Sequence, residues 1–338
     1  MKVFATTAMN EPGVSTYGPL FQRLAAQDRF RTHTLVGDAD TADLILFLDG
    51  HQHWRDLRLR AIVEHPLVRR DRDRAFLYNE MDQPWCAMPG LYVAMPRRSF
   101  DWQRQRPCSY LALVNDAVTT PPATPVEPDL LFSYLGRLGH PTRAAIVDLR
   151  DPRALIEDTS HLSFFGATTD AVAAQKRRYA EVLRRSKFVL CPVGSGTSSF
   201  RLFETMAAGS VPVIVSDGWV PPRGPKWEDF SVTVPERQVR EIPALLARRE
   251  PERAAMARAA RLAWEEWFAP EVLFHRMIEG CREILEDRPA AGKARARHFD
   301  LRYLRLRARE WKQEVKHALG RLRPPERKLP GAELPRSV

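Results

Sequence analysis

Residues 186–220 read SKFVLCPVGSGTSSFRLFETMAAGSVPVIVSDGWV. Two short apolar runs, 188–191 and 211–215, have the length and composition of buried strands. Between them, a loop of small residues over 194–199 leads into a segment that ends at Gly209, as a capped helix would. The order of strand, small-residue loop, helix and strand predicts one repeat of a parallel α/β sheet.

The start of this helix is a predicted anion site. Free backbone N–H groups and the helix dipole favour negative charge there, and small side chains let a diphosphate approach the backbone. Arg201 and Glu204 share one helix face, where a guanidinium can pair with phosphate and a carboxylate can accept from two ribose hydroxyls. A surface ion pair on an ordinary crossover helix is the alternative. The loop residues assigned to the diphosphate are Gly194, Gly196, Thr197, Ser198 and Ser199.

The stretch resembles the C-terminal signature of the exostosin-like glycosyltransferases, glycosyltransferase family 47. The resemblance implies an α/β fold of the GT-B type, with two Rossmann-like domains facing across a cleft. It also implies a nucleotide-sugar donor, with UDP-sugars expected, and inversion at the anomeric carbon. The chain departs from the family pattern at Ser210 and Pro222. The matching residues are Cys191, Pro192, Gly194, 196–204, 207–209, 211–214, Ser216 and Asp217.

Length and composition predict two domains and a tail. The chain has 338 residues, of which 44% are hydrophobic, enough for a large core. A proline-rich linker is predicted at 121–129, because it cannot continue a helix or a central strand. The acceptor-side Rossmann-like domain is then 1–120, and the nucleotide-sugar-binding domain is 130–288. A basic helical tail follows at 289–338, with a disordered end expected.

The net charge and the cysteine content limit the classes of partner and the cellular location that we expect. The formal net charge of +10 suits nucleotide phosphates, acidic glycans or anionic lipids, and no zinc-finger, RRM or helix-turn-helix pattern supports nucleic acid. The tail at 293–312 either contacts an anionic membrane peripherally or packs on the domains. Four cysteines without a CxxC pair, no signal peptide and no spanning segment predict a cytoplasmic protein of the bacterial type, peripheral to the inner face of the plasma membrane if the tail binds lipid.

Further candidate site residues lie at strand ends, where open α/β sheets bind ligands. Arg137 and Arg143 follow a predicted strand at 130–135 and are either donor-diphosphate contacts or surface arginines. A helix at 170–186 precedes the central stretch, with Val172, Tyr179, Val182 and Leu183 as its buried stripe. Asp217 follows the strand at 211–215 and is a candidate sugar contact.

An inverting transfer needs a general base to deprotonate the acceptor hydroxyl. Asp82 is the first candidate and Glu80 the second, since both follow a predicted strand at 74–80. Asp49 or His51 is the third, and each of the four has a structural alternative. The resemblance to GT-B enzymes implies that no metal is needed, and the D-x-D runs at 38–40 and 71–73 do not stand at strand ends as a metal motif would.

The sequence therefore predicts an inverting, metal-independent glycosyltransferase. It transfers a sugar from a nucleotide-sugar co-substrate to a glycan or lipid-linked saccharide in cell-surface polysaccharide synthesis, and it needs no other cofactor. Fixed cations and backbone donors would stabilise the diphosphate leaving group. Two alternatives stay open: a non-catalytic nucleotide-sugar or glycan-binding protein, and a membrane-surface scaffold that ignores UDP.

Overall fold

The computed structural model describes residues 1–8, 17–49, 59–82, 84, 86, 88–111, 115–120, 124, 126–161, 170–287, 308, 311, 312, 315 and 316. Contacts divide the chain into two compact units, Met1–Arg288 and Pro289–Val338. In the second unit the five described positions are helical, and Trp311 is exposed. No helix within the described residues is both long enough and apolar enough to cross a membrane.

The first sheet of the larger unit has six described strands, all paired in parallel, in the order β2-β1-β3-β4-β5-β6. Its inner strands β3 and β4 are buried along their whole length, as expected for a parallel sheet covered on both faces. The strands are β1 (Lys2–Thr6), β2 (Thr34–Leu35), β3 (Leu44–Phe47), β4 (Ala75–Asn79), β5 (Gly90–Tyr92) and β6 (Gln105–Pro107). The helices in this part of the chain are α1 (Tyr17–Gln27), α2 (Leu59–Val63), α3 (Pro66–Arg70) and α4 (Asp116–Thr119), with 3-10 turns at Ala39–Thr41 and Arg97–Ser99.

The second sheet has five described strands, again all parallel, in the order β11-β10-β9-β7-β8. The strands are β7 (Leu130–Gly136), β8 (Ala154–Asp158), β9 (Ser186–Pro192), β10 (Val211–Val215) and β11 (Val232–Thr233). The helices are α5 (Pro141–Val147), α6 (Asp170–Arg185), α7 (Phe200–Ala207), α8 (Trp227–Phe230), α9 (Ile242–Arg249), α10 (Arg253–Trp267) and α11 (Pro270–Glu286), with 3-10 turns at Glu236–Glu241 and Glu250–Glu252.

The central stretch folds as the sequence predicts. The apolar runs are β9 and β10, which pair with each other in parallel, and α7 lies between them in the chain. The helix ends before Gly209, whose φ of +74° is a left-handed conformation that glycine adopts without strain. The prediction of an α/β fold with two parallel sheets is confirmed.

Packing departs from the predicted division of the chain in two places. Val118 of α4 lies in the core of the second sheet, although the sequence assigned it to the first domain. The last helix, α11, packs from Leu273 to Ile284 into the core of the first sheet, although it was assigned to the second domain. We call the part of the larger unit built around the first sheet the first half, and the part built around the second sheet the second half. The chain therefore passes into the second half before α4 and returns to the first half at α11.

In each sheet, the chain adds strands first to one side of a starting strand and then to the other side, so the strand order reverses at that strand. In the first sheet β1 lies between β2 and β3, and in the second sheet β7 lies between β8 and β9. Ligands of open α/β sheets bind in the crevice outside the carboxyl ends of the strands at such a reversal. In the second sheet this crevice lies beside the loop that follows β9.

Candidate active site

The loop after β9 leads directly into α7. Within it, the Gly194 N–H donates to the Gly196 carbonyl at 3.1 Å, which closes a tight turn. Ser199 is the N-cap residue of α7, with extended backbone, and its side chain makes no capping hydrogen bond. The helix thus begins without the side-chain cap that the sequence predicted, and the N-terminal position suited to an anion is not taken by the Ser199 hydroxyl.

Two arginine side chains lie directly against a glycine, Arg143 at the loop and Arg201 at the end of β7. A Cβ at Gly194 would lie 2.2 Å from Nη2 of Arg143, and a Cβ at Gly136 would lie 2.6 Å from Nη2 of Arg201. Real Cβ atoms do not approach other atoms so closely. The glycine of the loop therefore admits a guanidinium from the same half of the molecule, a requirement that sequence spacing alone did not reveal.

Arg143 is the cation most closely joined to the loop. Its Nε donates to the Val193 carbonyl at 2.9 Å, and its Nη1 lies 3.4 Å from the carbonyl oxygen of Arg137. Burial lowers its pKa, and the nearby Tyr134 and Asp82 oppose that effect. The side chain of Arg137 is exposed, so of the two predicted arginines it is Arg143 that the structure places against the loop.

Arg201 points into its own half of the molecule. It is 5% exposed, its Nη2 donates to the Leu135 carbonyl at 2.5 Å, and its guanidinium lies 4.8 Å from the Tyr134 ring centroid. Its Nε is buried and has no hydrogen-bond partner among the residues that the structure describes. The guanidinium therefore lies beside the carboxyl end of β7, at the strand-order reversal.

Glu204 follows Arg201 by three positions on α7 and is also buried, at 8% exposure. Its Oε2 accepts a hydrogen bond from the Tyr179 hydroxyl of α6 at 2.7 Å. Burial raises the pKa of Glu204 to about 7, while the Tyr179 hydrogen bond and the charges of Arg201 and Lys176 hold it down. Sequence reasoning placed Tyr179 on a buried stripe but not at the site. A signal existed, because a buried tyrosine hydroxyl usually has a hydrogen-bond partner.

Asp82 from the first sheet meets the loop from the other side. A Cβ at Gly196 would lie 2.7 Å from the Asp82 Oδ1 and 2.9 Å from its Cα, so the two backbones approach closely. Asp82 is exposed as a whole residue, but its carboxyl group faces Gly196 and is partly buried there. This burial raises its pKa, and Arg143 opposes the rise. The structure therefore brings the first candidate base beside the predicted diphosphate loop.

Glu80 is differently placed. Its Oε2 accepts from the Tyr17 hydroxyl at 3.0 Å, and its Oε1 accepts from the Tyr78 hydroxyl and from the Leu111 N–H. The third candidate, Asp49, accepts from the Thr7 hydroxyl at 2.5 Å and the Ala8 N–H at 3.1 Å. His51 lies outside the described residues. Hydrogen bonds within the first half thus occupy both Glu80 and Asp49.

Hydrogen bonds join the two halves on either side of the loop. The Thr197 hydroxyl donates to the Ala94 carbonyl of the first half at 3.0 Å. Within the second half, the Ser216 hydroxyl donates to the Thr197 carbonyl at 2.8 Å and holds the loop in place. The Arg97 N–H donates to the Gly218 carbonyl at 2.8 Å, and the Arg97 Nη2 donates to the Trp219 carbonyl, also at 2.8 Å. Together these bonds fix the loop against the edge of the first half that carries Asp82.

Ser198 and Asp217 complete the predicted set. Ser198 is buried in the loop. Asp217 follows β10, where its N–H donates to Oε1 of Glu236 at 3.0 Å and its Oδ1 accepts from the Glu236 N–H at 3.2 Å. Glu236 also accepts from the Thr142 hydroxyl at 2.9 Å. The carboxylate of Asp217 thus caps the 3-10 turn at Glu236–Glu241, a role that sequence reasoning missed.

Potential metal ligands gather elsewhere. In the described part of the chain His33, His275 and Glu279 offer ligand atoms within 4.8 Å of one another. Arg282 already binds both carboxylate oxygens of Glu279, at 2.5 to 3.1 Å. Among the D-x-D residues, Asp38 caps a 3-10 turn and Asp71 pairs with Arg70 and Arg74.

Comparison with known proteins places the central stretch in context. Residues 131–248 match the family model described as the Exostosin GT47 domain. Exostosin-1 of Drosophila melanogaster is 28% identical over 168 residues, which cover 46% of this chain and 22% of that protein. The Exostosin-1 homolog of Caenorhabditis elegans is 41% identical over 70 residues, which cover 20% of this chain and 18% of that protein. The chain thus spans about a fifth of the length of these relatives.

Among solved structures, the fold is similar to WaaG, a glycosyltransferase involved in lipopolysaccharide biosynthesis, at 13% identity and a TM-score of 0.40 over 84% of this chain and 99% of that chain. The family match contains β9, α7, β10 and every second-half residue predicted for the donor, whereas Asp82 and Glu80 lie outside it. The comparisons therefore show that residues 131–248 are similar to the Exostosin GT47 domain and, in part, to Exostosin-1.

Proposed function

We propose that the chain is an inverting glycosyltransferase of the bacterial exostosin-like type, which uses a nucleotide-sugar donor, preferably a UDP-sugar. The observation that carries the proposal is the meeting of a small-residue loop, a helix N-terminus and Arg143 with a carboxylate, Asp82, from the other sheet. A donor diphosphate and an acceptor hydroxyl would need these groups on opposite sides of one crevice.

In this proposal the loop 194–199 and the first turn of α7 bind the diphosphate through backbone N–H groups. Arg143 faces the same loop and would stabilise negative charge as the diphosphate leaves. Arg201 lies deeper, so it would act through the field of its charge or after a change of rotamer. Glu204, one turn into the helix, would accept hydrogen bonds from the ribose hydroxyls.

Asp82 is the proposed general base. Its pKa is raised by burial, which brings the carboxylate nearer to the basicity that proton transfer at neutral pH requires. The acceptor hydroxyl would give its proton to Asp82 as its oxygen attacks the anomeric carbon, and the bond to the diphosphate would break. The carboxylate ends protonated and the nucleotide leaves as the diphosphate. Metal independence belongs to the proposal, since Arg143 and the helix N-terminus would supply the positive field.

The acceptor and the location are part of the same proposal. A glycan or a lipid-linked saccharide at the cytoplasmic face of the membrane would suit the net charge of +10 and the basic tail. To test the membrane contact, the full chain and a chain that ends at residue 288 are each co-sedimented with phosphatidylglycerol vesicles. Equal binding by both would contradict a membrane role for the tail.

The donor site is tested by the affinity for UDP, measured by calorimetry. Glu204→Ala should weaken UDP binding at least tenfold. Glu181→Ala, which removes an exposed glutamate from α6, is the matched control and should bind as the wild type does. Equal affinity in both variants would remove Glu204 from the site. UDP binding without UDP release from any UDP-sugar and acceptor would favour the non-catalytic alternative.

A further inference from the structure

We propose that Tyr179 is a positioning residue for the nucleoside: its hydroxyl holds one carboxylate oxygen of Glu204 and leaves the other for the ribose hydroxyls. The inference rests on the proposed function and concerns the same site. It assigns a role to a residue that lies on another helix and outside the central stretch.

The geometry of the pair is that of a strong, directed hydrogen bond. The Tyr179 hydroxyl oxygen is 2.7 Å from Oε2 of Glu204, the usual length for an O–H···O bond. In the described part of the chain no hydrogen bond to Oε1 of Glu204 is found. A carboxylate oxygen offers two lone pairs, so Oε1 keeps the capacity to accept from a ribose diol.

The setting of the pair makes the hydroxyl hard to replace by water. Tyr179 and Glu204 are both at least nine-tenths buried, and the Tyr179 ring lies in the core formed with Leu183 and Leu202. If the Tyr179 hydroxyl were removed, water could hardly replace it as a donor, because Glu204 is only 8% exposed. The tyrosine therefore fixes which way the carboxylate plane faces.

Few charged or titratable groups surround Glu204 among the residues that the structure describes. On α6 they are Tyr179 and Lys176, on α7 Arg201, and on β9 the buried thiol of Cys191. Arg201 and Lys176 favour the ionised carboxylate, whereas burial opposes ionisation and raises the pKa of Glu204 to about 7. Near neutral pH the free protein thus holds a mixture of the protonated and ionised forms.

Binding of a diol selects the ionised form, because only a carboxylate accepts with both oxygens while Oε2 keeps its tyrosine. Nucleotide binding should therefore release a proton and become tighter as pH rises through about 7. Removing the Tyr179 hydroxyl removes a donor that favours the ionised form. The pKa of Glu204 then rises further, and tight binding moves to higher pH.

The experiment measures the affinity for UDP and for 2′,3′-dideoxy-UDP by calorimetry at pH 6 to 9. In the wild type we expect a preference for UDP that grows with pH. Tyr179→Phe should reduce that preference about three- to tenfold at pH 7, the size of one lost hydrogen bond, and recover most of it at pH 9. Glu204→Gln should lose the preference at every pH.

The matched control is Tyr92→Phe, which removes another buried hydroxyl, one that donates to the Met88 carbonyl at 2.7 Å in the first sheet. It should keep the wild-type affinities and pH dependence. A Tyr179→Phe variant with an unshifted pH profile, or with equal losses for both nucleotides at every pH, would overturn the inference. An unchanged preference in Glu204→Gln, or no UDP binding by the wild type, would contradict the proposed function itself.

Discussion

Each half of the molecule holds a glutamate that accepts a hydrogen bond from a tyrosine, and the two glutamates differ in the number of donors around them. Glu80 in the first half accepts from two tyrosine hydroxyls and a backbone N–H. Among the described residues, Glu204 in the second half accepts from one donor, the Tyr179 hydroxyl. A carboxylate has about four acceptor positions, so Glu80 is close to saturated and Glu204 is not.

The comparison distinguishes a carboxylate that stabilises the fold from one that can bind a ligand. A carboxylate held by three protein donors is a fixed point of the fold, and a ligand would have to displace a buried partner to reach it. One held by a single donor keeps acceptor capacity for a substrate. The same criterion favours Asp82 over Glu80 as the base, because loop atoms and the charge of Arg143, rather than hydrogen bonds from the core, surround Asp82.

The largest expected effect is on turnover. Asp82→Asn should lower the rate of UDP release from the donor about 10²- to 10⁴-fold, because the amide cannot take the acceptor proton. UDP affinity and the thermal unfolding midpoint should stay near the wild-type values. Glu80→Gln, the matched change two residues earlier, should cost less activity. A larger rate loss in Glu80→Gln, with its fold intact, would reverse the assignment.

The next effect is on stability in the first half. Glu80→Ala should lower the free energy of unfolding by about 2–4 kcal/mol, because it removes the carboxylate that accepts from the Tyr17 and Tyr78 hydroxyls. The Ser109 carbonyl remains as an acceptor for Tyr78. Urea denaturation of the two proteins measures the difference. Glu204→Ala, assayed beside it at pH 7, should cost less. Equal losses would show that the two glutamates are bonded alike and would break the comparison.

The smallest effect is a pH dependence in the second half. The pKa of Glu204 is raised to about 7 in the folded chain from an ordinary value of 4.5. Its stabilising contribution is therefore complete below about pH 4.5 and is lost as pH rises through 7. Glu204→Gln carries no such loss, so it should gain roughly 1 to 3 kcal/mol relative to the wild type between pH 5 and pH 8.

Urea unfolding of both proteins at pH 5 and pH 8 measures this gain. A constant difference between them at the two pH values would mean that Glu204 is ionised throughout. The buried carboxylate would then be stabilised by more partners than Tyr179, Arg201 and Lys176. The gain in stability from Glu204→Gln should accompany a loss of nucleotide affinity, as is common where a binding site stores strain.

Sequence reasoning was most successful where local pattern decides structure. The runs at 188–191 and 211–215 are buried on both faces, so their apolar composition predicts β9 and β10 directly. It failed at β8, whose residues are half-buried or exposed and lie at the edge of the sheet. The N-cap of α5 is also outside the usual preferences, because the His140 imidazole accepts the Thr142 N–H.

The site could be predicted only within the central stretch. The small residues of the loop, Arg201 and Glu204 are close in the sequence, and together with the flanking strands they predict a nucleotide-binding site. The contacts between Tyr179 and Glu204, Arg143 and Gly194, or Asp82 and Gly196 join positions that only the tertiary fold brings together. Periodicity shows that a helix such as α11 is amphipathic but not which of two sheets it covers.

The return of α11 to the first half has a mechanical consequence. The second half is tethered at two places, between Leu111 and Asn115 and again near Ala269, where Val272 still touches the second core and Leu273 already touches the first. Two tethers would allow the halves to bend about the line that joins them and would resist a screw-like rotation of one half against the other. A proteolytic cut at the first tether would separate the strands of the first sheet covalently from the second half, and the packing of α11 on the first sheet would then help to hold the two fragments together.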